Sequence, residues 1–196
     1  MISKALKAKL RTESLAARDA IGGESRIEKS MAIADAGGGL IDFLPGEEVS
    51  GFFPIRSEVD VRPLMQRLKE RGAKLSVPVV LDKQTIVFRE TARGRPAGQH
   101  RLRHVRPRRG CPRRRSRRDA GCRSRLFDRA GHRIGYGAGY YDRAISRLHD
   151  KGRRPRLIGV AFDCQEVDII PAEDHDVAVD AILTESGLRL IAKENS

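Results

Sequence analysis

The feature that most constrains this chain is an alternation: apolar runs of strand length recur, and segments of helical period lie between them. The runs are EVSGFFPI, AKLSVPVVL, TIVFRE, RLIGVAF and DVAVDAILTE, at 48–55, 73–81, 85–90, 156–162 and 176–185. Most are apolar nearly throughout, which suits strands buried on both faces, and that burial belongs to parallel sheets covered by helices. One helix is predicted after Asp60, which can cap it, with Pro63 in its first turn, Leu64 and Leu68 as an apolar stripe, and Gly72 as the stop. GYYDRAISRLHD, 139–150, reads as a second, opened by glycine. At the start of the chain Leu6, Leu10 and Leu15 or Ala16 make an amphipathic stripe, with Lys4, Lys7, Lys9 and Arg11 on the other, solvated faces. A further helical stretch, 24–43, is expected to break or kink at Gly37, Gly38 and Gly39, each costing roughly 1 kcal/mol relative to Ala. The pattern predicts one α/β domain over 1–196 with a mostly parallel sheet.

The 196 residues suffice for one core. No apolar run reaches the roughly 18 residues that cross a bilayer, and the N-terminus lacks the apolar centre of a secretory signal, so a soluble cytoplasmic protein is expected. Cys111, Cys122 and Cys164 form no even set and no CxxC pair, which argues against a disulfide framework or a zinc site. The net charge of +13 would suggest a polyanionic partner, but it is concentrated. Residues 100–125 hold 12 Arg, no Lys and one Asp, a net of +11, leaving +2 for the other 170 residues.

The strongest local signal is GHRIGYGAGYYDR, 131–143, where Gly135, Gly137 and Gly139 alternate and then enter a helix. Such a loop can bring bare backbone N–H groups to a phosphate at a helix N-terminus, or it can be only a tight turn. Its spacing matches neither the Walker A loop nor the dinucleotide fingerprint. Asp142 is placed either to hold Mg²⁺ beside phosphates or simply to favour the helix start. Glu173, Asp174, Asp176 and Asp180 are solvated loop acids or partners of Asp142 in a metal site, and His175 reads as structural. Carboxylates that bind Mg²⁺ should matter more to turnover than to folding.

Five segments in order, SKALKAKLR, GFFPIRSEVDVRPL, FDRAGHRIGYGAGYYDR, IGVAFDCQ and PAEDHDVAVDAILTE, resemble the 5-formyltetrahydrofolate cyclo-ligase (5,10-methenyltetrahydrofolate synthetase) family. The resemblance implies a Rossmann-like three-layer α/β domain of the NagB/RpiA/CoA-transferase-like type, acting as a monomer without a membrane or nucleic-acid partner. It implies ATP- and Mg²⁺-dependent closure of 5-formyltetrahydrofolate to 5,10-methenyltetrahydrofolate with release of ADP and phosphate. The formyl oxygen attacks the γ-phosphorus, and N10 then attacks the activated carbon and expels phosphate. Carried over by position, ATP falls on Lys4 and Lys7 and on Arg133, Ile134, Gly135, Tyr136, Gly137, Ala138, Gly139, Tyr140 and Tyr141. The folate falls on Phe53, Glu58, Tyr136, Gly137, Ala138, Gly139 and Tyr140, with Glu58 on polar groups of the pterin, and Mg²⁺ falls on Asp142 and Asp176.

The block 99–125 departs from this pattern, since the family has there a loop, acidic residues and a buried strand leading into FD..G.R. Its Arg, Pro, Gly, Ser, Cys and Ala without Lys or Ile are what a GC-rich coding sequence yields in a wrong frame. The block therefore reads as a compensated frameshift that impairs the enzyme, expected to be disordered and to supply no strand. The alternative is a nucleic-acid-binding protein acting through an Arg-rich arm, although no aromatic residue lies in the block to stack on bases.

Overall fold

Parallel strands need cover on both faces and antiparallel edges do not, and the sheet follows that division. The structure, a computed structural model, describes residues 2–91, 118–124, 126–173 and 176–192, with the backbone alone for 2–4 and 118–123. Its elements are α1 (Ile2–Asp19), α2 (Gly23–Leu40), β1 (Glu48–Ser50), α3 (Arg62–Glu70), β2 (Lys74–Val80), β3 (Ile86–Glu90), β4 (Arg118–Arg123), β5 (Leu126–Phe127), β6 (Arg133–Ile134), α4 (Tyr140–Asp150), β7 (Leu157–Val160), a short 3₁₀ turn (Asp163–Gln165), β8 (Ala181–Thr184) and β9 (Gly187–Leu190).

Seven strands form one sheet in the order β3-β2-β1-β4-β7-β8-β9. The inner pairings β2–β1, β1–β4, β4–β7 and β7–β8 are parallel, whereas β3 and β9 join as antiparallel edges. Every residue of β7 and β8 is buried, while β9 is half-buried to exposed. The main core gathers Ile33, Phe52, Leu64, Leu68, Leu75, Phe162 and Leu183. Among the described residues no helix is long and apolar enough to cross a membrane.

Four expectations are corrected. First, α2 runs unbroken through Gly37–Gly39, and the Ile41 N–H donates to Gly37 O at 3.1 Å. A Cβ on Gly37 would stand 2.6 Å from Leu183 Cδ2 and 2.8 Å from Leu64 Cδ1, and one on Gly38 would lie 3.0 Å from Arg67 Cδ. The glycines let α2 approach α3 and β8, and that packing outweighs their poor helix propensity.

Second, residues 99–125 do supply a strand at their C-terminal end. β4 is the central strand, pairing Val49 with Asp119 on one side and Ala120 with Leu157 and Cys122 with Gly159 on the other. Burial of side chains is the wrong test here: β1 and β7 each present a row of backbone donors and acceptors that a strand between them satisfies. Residues 99–117 and Arg125, to which the expectation of disorder also applied, lie outside the described residues.

Third, the run 48–55 is a strand only to Ser50. Gly51, against which Met65 packs where a Cβ would stand, turns the chain out of the sheet into the 51–58 loop. Fourth, 176–185 is a strand only from Ala181, and β9 follows it as the true end of the sheet. The earlier part of that run instead docks on the 128–132 turn, where the Val179 N–H donates to Gly131 O at 2.9 Å. Asp60 holds the α3 start one residue before its N-cap Val61, accepting from the Arg62 N–H at 3.0 Å.

Candidate functional site

The site begins with a reversal in α1. The apolar stripe expected to face inward is in part outside, with Leu6 41% exposed, while Lys7, Ser14 and Arg18 are buried. Positions 7, 10, 11, 14 and 18 share one helical face, and that face carries three cations. A buried or half-buried cation needs polar partners, and each of the three reaches one on a distant segment. Lys7 Nζ donates to Asp176 Oδ2 at 2.7 Å and lies 3.3 Å from Glu173 Oε1. Arg11 Nε donates to Gly135 O at 3.1 Å, and Arg18 Nε donates to Ser57 Oγ at 3.0 Å. Burial alone would pull the Lys7 pKa down, but the bonds to Asp176 and Glu173 outweigh it and raise the pKa above 10.5, so the ammonium stays charged.

The glycine loop lies against this face. Gly137 and Gly139 have φ of +90° and +60°, a region that penalises any side chain. Gly139 is the N-cap of α4 and makes no side-chain cap bond, and a helix N-terminus opened by a glycine favours an anion. Arg11 lies across the loop, with Cζ 3.6 Å from where a Gly137 Cβ would be, while nothing lies within 4 Å of that position on Gly135. Just before the loop Arg133, nearly buried, donates from Nη2 to Asp142 Oδ1 at 2.7 Å and sits 5.8 Å from the Tyr141 ring centre. Ile134 is buried beside Leu126 and Ile170, against which Leu10 packs. Arg143 closes the loop from the α4 side, donating to Ala138 O at 2.7 Å and to Gln84 O at 3.0 Å, and the Tyr140 hydroxyl is 3.4 Å from Asp82 O.

On the other flank the buried Glu58 carboxylate accepts from the Tyr136 hydroxyl at 2.7 Å and from the Ile55 N–H at 2.8 Å. Phe53 is half-buried against the main core, and Phe52 is the phenylalanine fully inside it. The structure thus joins Lys7 to Asp176, Arg133 to Asp142, and Tyr136 to Glu58. The side chain of Lys4, and Asp174 and His175, lie outside what is described.

Sequence reasoning missed Arg11, Arg18, Ser57 and Asp128. Asp128 is 1% exposed and accepts from the N–H groups of Ala130, His132 and Ile170 at 3.0, 2.9 and 3.0 Å, with the His132 ring Nδ1 at 3.1 Å. That carboxylate ties the β5–β6 hairpin, which leads into the glycine loop, to the segment carrying Asp176. The 7-11-14-18 spacing could have found the first two, because cations at helical period are as much a face as leucines are.

A glycine loop at a helix N-terminus, flanked by charge-paired Lys and Arg and by acids on an α/β sheet, is the setting in which an α/β enzyme takes a phosphate-bearing small molecule. The sequence pattern of the 5-formyltetrahydrofolate cyclo-ligase family matches residues 3–185, and the chain belongs to that family. The chain is 28% identical to 5-formyltetrahydrofolate cyclo-ligase of Escherichia coli (strain K12) over 149 residues, covering 70% of this chain and 78% of that one. The solved structure of Aquifex aeolicus 5,10-methenyltetrahydrofolate synthetase, 26% identical, superposes with a TM-score of 0.75 over 97% of this chain and 95% of that one. The Mycoplasma pneumoniae 5,10-methenyltetrahydrofolate synthetase structure, at 23% identity and a TM-score of 0.69, shares the fold. The activity is accordingly that of an ATP-dependent cyclo-ligase acting on 5-formyltetrahydrofolate.

Proposed function

We propose that cyclisation takes place where α1, the 51–58 loop, the glycine loop and the 170–176 segment meet. ATP phosphates lie along 133–141 beside Lys4 and Lys7, with Arg11 added to the earlier set. The folate lies against Phe53, Glu58 and 136–140. The observation that carries this reading is the inward cation face of α1, whose Lys7 and Arg11 reach Asp176 and Gly135 from opposite ends of the sequence.

Mg²⁺ fits the donors present. Asp142 and Asp176 are hard oxygen ligands, with side chains 22% and 24% exposed, and the described residues hold no group of three or more His, Cys, Asp or Glu placed to cage a metal by themselves. One or two carboxylates completed by water and substrate phosphates is the usual Mg²⁺ arrangement. Bound there, the ion would neutralise charge on the nucleotide phosphates.

The chain's own contribution is placement and charge. The α4 N–H groups and Lys7 hold the γ-phosphate in line with the formyl oxygen, which attacks phosphorus as ADP leaves. Glu58, aligned by Tyr136, holds the pterin so that N10 faces the activated carbon, and phosphate departs as the ring closes. The sheet draws strands from residue 48 to residue 190, which supports one Rossmann-like three-layer domain across 1–196. A cytoplasmic monomer without a nucleic-acid partner is the form proposed.

The test is turnover of 5-formyltetrahydrofolate with MgATP, followed by the near-ultraviolet absorbance of the methenyl product. Asp176→Asn should lower kcat by about 10²–10³-fold, a loss of roughly 3–4 kcal/mol of transition-state stabilisation. Its melting temperature should barely move, because Glu173 still answers Lys7. Unchanged kcat would remove Asp176 from the site.

A further inference from the structure

Three locally unfavourable choices meet at one turn. Arg18 is 1% exposed, and its Nη2 is buried without a hydrogen-bond partner among the described residues. Asp19 is the last residue of α1, where the helix dipole favours a cation over an acid. Arg56, with φ of +57°, is a non-glycine residue in left-handed backbone. Such costs persist where surrounding structure over-determines them, and they collect at functional sites.

All three converge on Ser57. Its hydroxyl accepts from Arg18 Nε at 3.0 Å and donates to Asp19 Oδ1, so its one donor is committed and the side chain is oriented. The turn around it is closed by the Glu58 N–H donating to Ile55 O at 3.3 Å and by the Ile55 N–H donating to Glu58 Oε2 at 2.8 Å. The next side chain along is Glu58, whose other oxygen receives the Tyr136 hydroxyl.

We propose that Arg18, Asp19 and Ser57 are positioning residues that hold the strained 55–58 turn and thereby aim the Glu58 carboxylate at the folate. They set folate affinity without touching folate, and they couple the end of α1, whose start serves the nucleotide, to the pterin side. The inference rests on the reading of Glu58 as a folate contact. A purely structural role would lower stability and leave the balance between the two substrates alone.

The experiment measures KM for 5-formyltetrahydrofolate and for ATP, kcat and melting temperature in Asp19→Ala, Ser57→Ala, Ser57→Thr and Glu58→Gln, and in Ser57→Ala combined with Glu58→Gln. Asp19 is exposed, so its variant folds even if removal of the buried Ser57 hydroxyl is poorly tolerated. Asp19→Ala should raise the folate KM about 5-fold and Ser57→Ala about 10-fold or more, with the ATP KM within about 2-fold, and Ser57→Thr should restore the folate KM. Ser57→Ala should add little once Glu58 is already Gln, because the two act as one unit. Equal rises in both KM values, full additivity, or a fall in melting temperature alone would overturn the relay. If Glu58→Gln raises the folate KM while Asp19→Ala and Ser57→Ala do not, the relay alone fails. If Glu58→Gln leaves the folate KM unchanged, the reading of Glu58 fails and the relay with it.

Discussion

Two clusters of three glycines look alike in the sequence and do opposite things. Gly37–Gly39 sit inside α2, and two of them are there because a side chain has no room: Leu183, Leu64 and Arg67 occupy the space. Gly135, Gly137 and Gly139 sit in a loop with room to spare at Gly135 and left-handed backbone at the other two. The first cluster is glycine by what surrounds it. The second is glycine, at Gly137 and Gly139, by what its own backbone must do. Helix propensity addresses neither cause, which is why it mistook the first cluster for a break.

The loop side breaks most severely at its anchor. Asp142→Asn removes the carboxylate from Arg133, whose side chain is 3% exposed, so both function and folding should suffer. We expect kcat to fall about 10³-fold and stability by roughly 1–3 kcal/mol, less than the loss of a whole buried partner because Asn keeps one acceptor. This departs from the expectation that a carboxylate here matters more to turnover than to folding, and unchanged denaturant midpoints would uphold that expectation. On the helix side, Gly37→Ala should cost about 1–3 kcal/mol by overpacking, lowering the melting temperature by about 2–4 °C per kcal/mol. Its KM values should stay at wild type, and altered kinetics without instability would show that α2 is not merely packed.

Gly137→Ala should do the reverse. We expect the ATP KM to rise about 10-fold, with about 1 kcal/mol of stability lost to the left-handed backbone. Equal effects on ATP and folate would mean that the loop is only a turn. The smallest expected effect is Gly39→Ala. Nothing lies within 4 Å of the added carbon and the position is helical, so stability should rise by about 0.5–1 kcal/mol with kinetics unchanged. Destabilisation there would mean that the glycine cluster works through its flexibility after all.

The positions of β2, β3, β7, α3 and α4 were legible because each carries its own period and its own stop, such as Pro63 and Gly72 around α3. The glycine loop running into α4 was also legible, through the order and spacing of residues that resemble one family, whereas the pairing of Asp142 with Arg133 and of Asp176 with Lys7 was not. β4 was not, because the evidence for it lies in β1 and β7, whose unpaired backbone groups call for a neighbour whatever its side chains. Arg18 and Ser57 were not legible either, since they are 39 residues apart and mean nothing until the fold brings them to 3.0 Å.

The sequence by itself therefore determined the α/β alternation, the family, and the glycine loop that enters α4, all of which are written in short-range patterns of period, spacing and residue type. Only the tertiary structure decided which face of α1 turns inward, why α2 tolerates its glycines, and what holds Glu58 in place. Those depend on which distant groups answer a buried charge or fill a gap, and a one-dimensional pattern does not contain its partners.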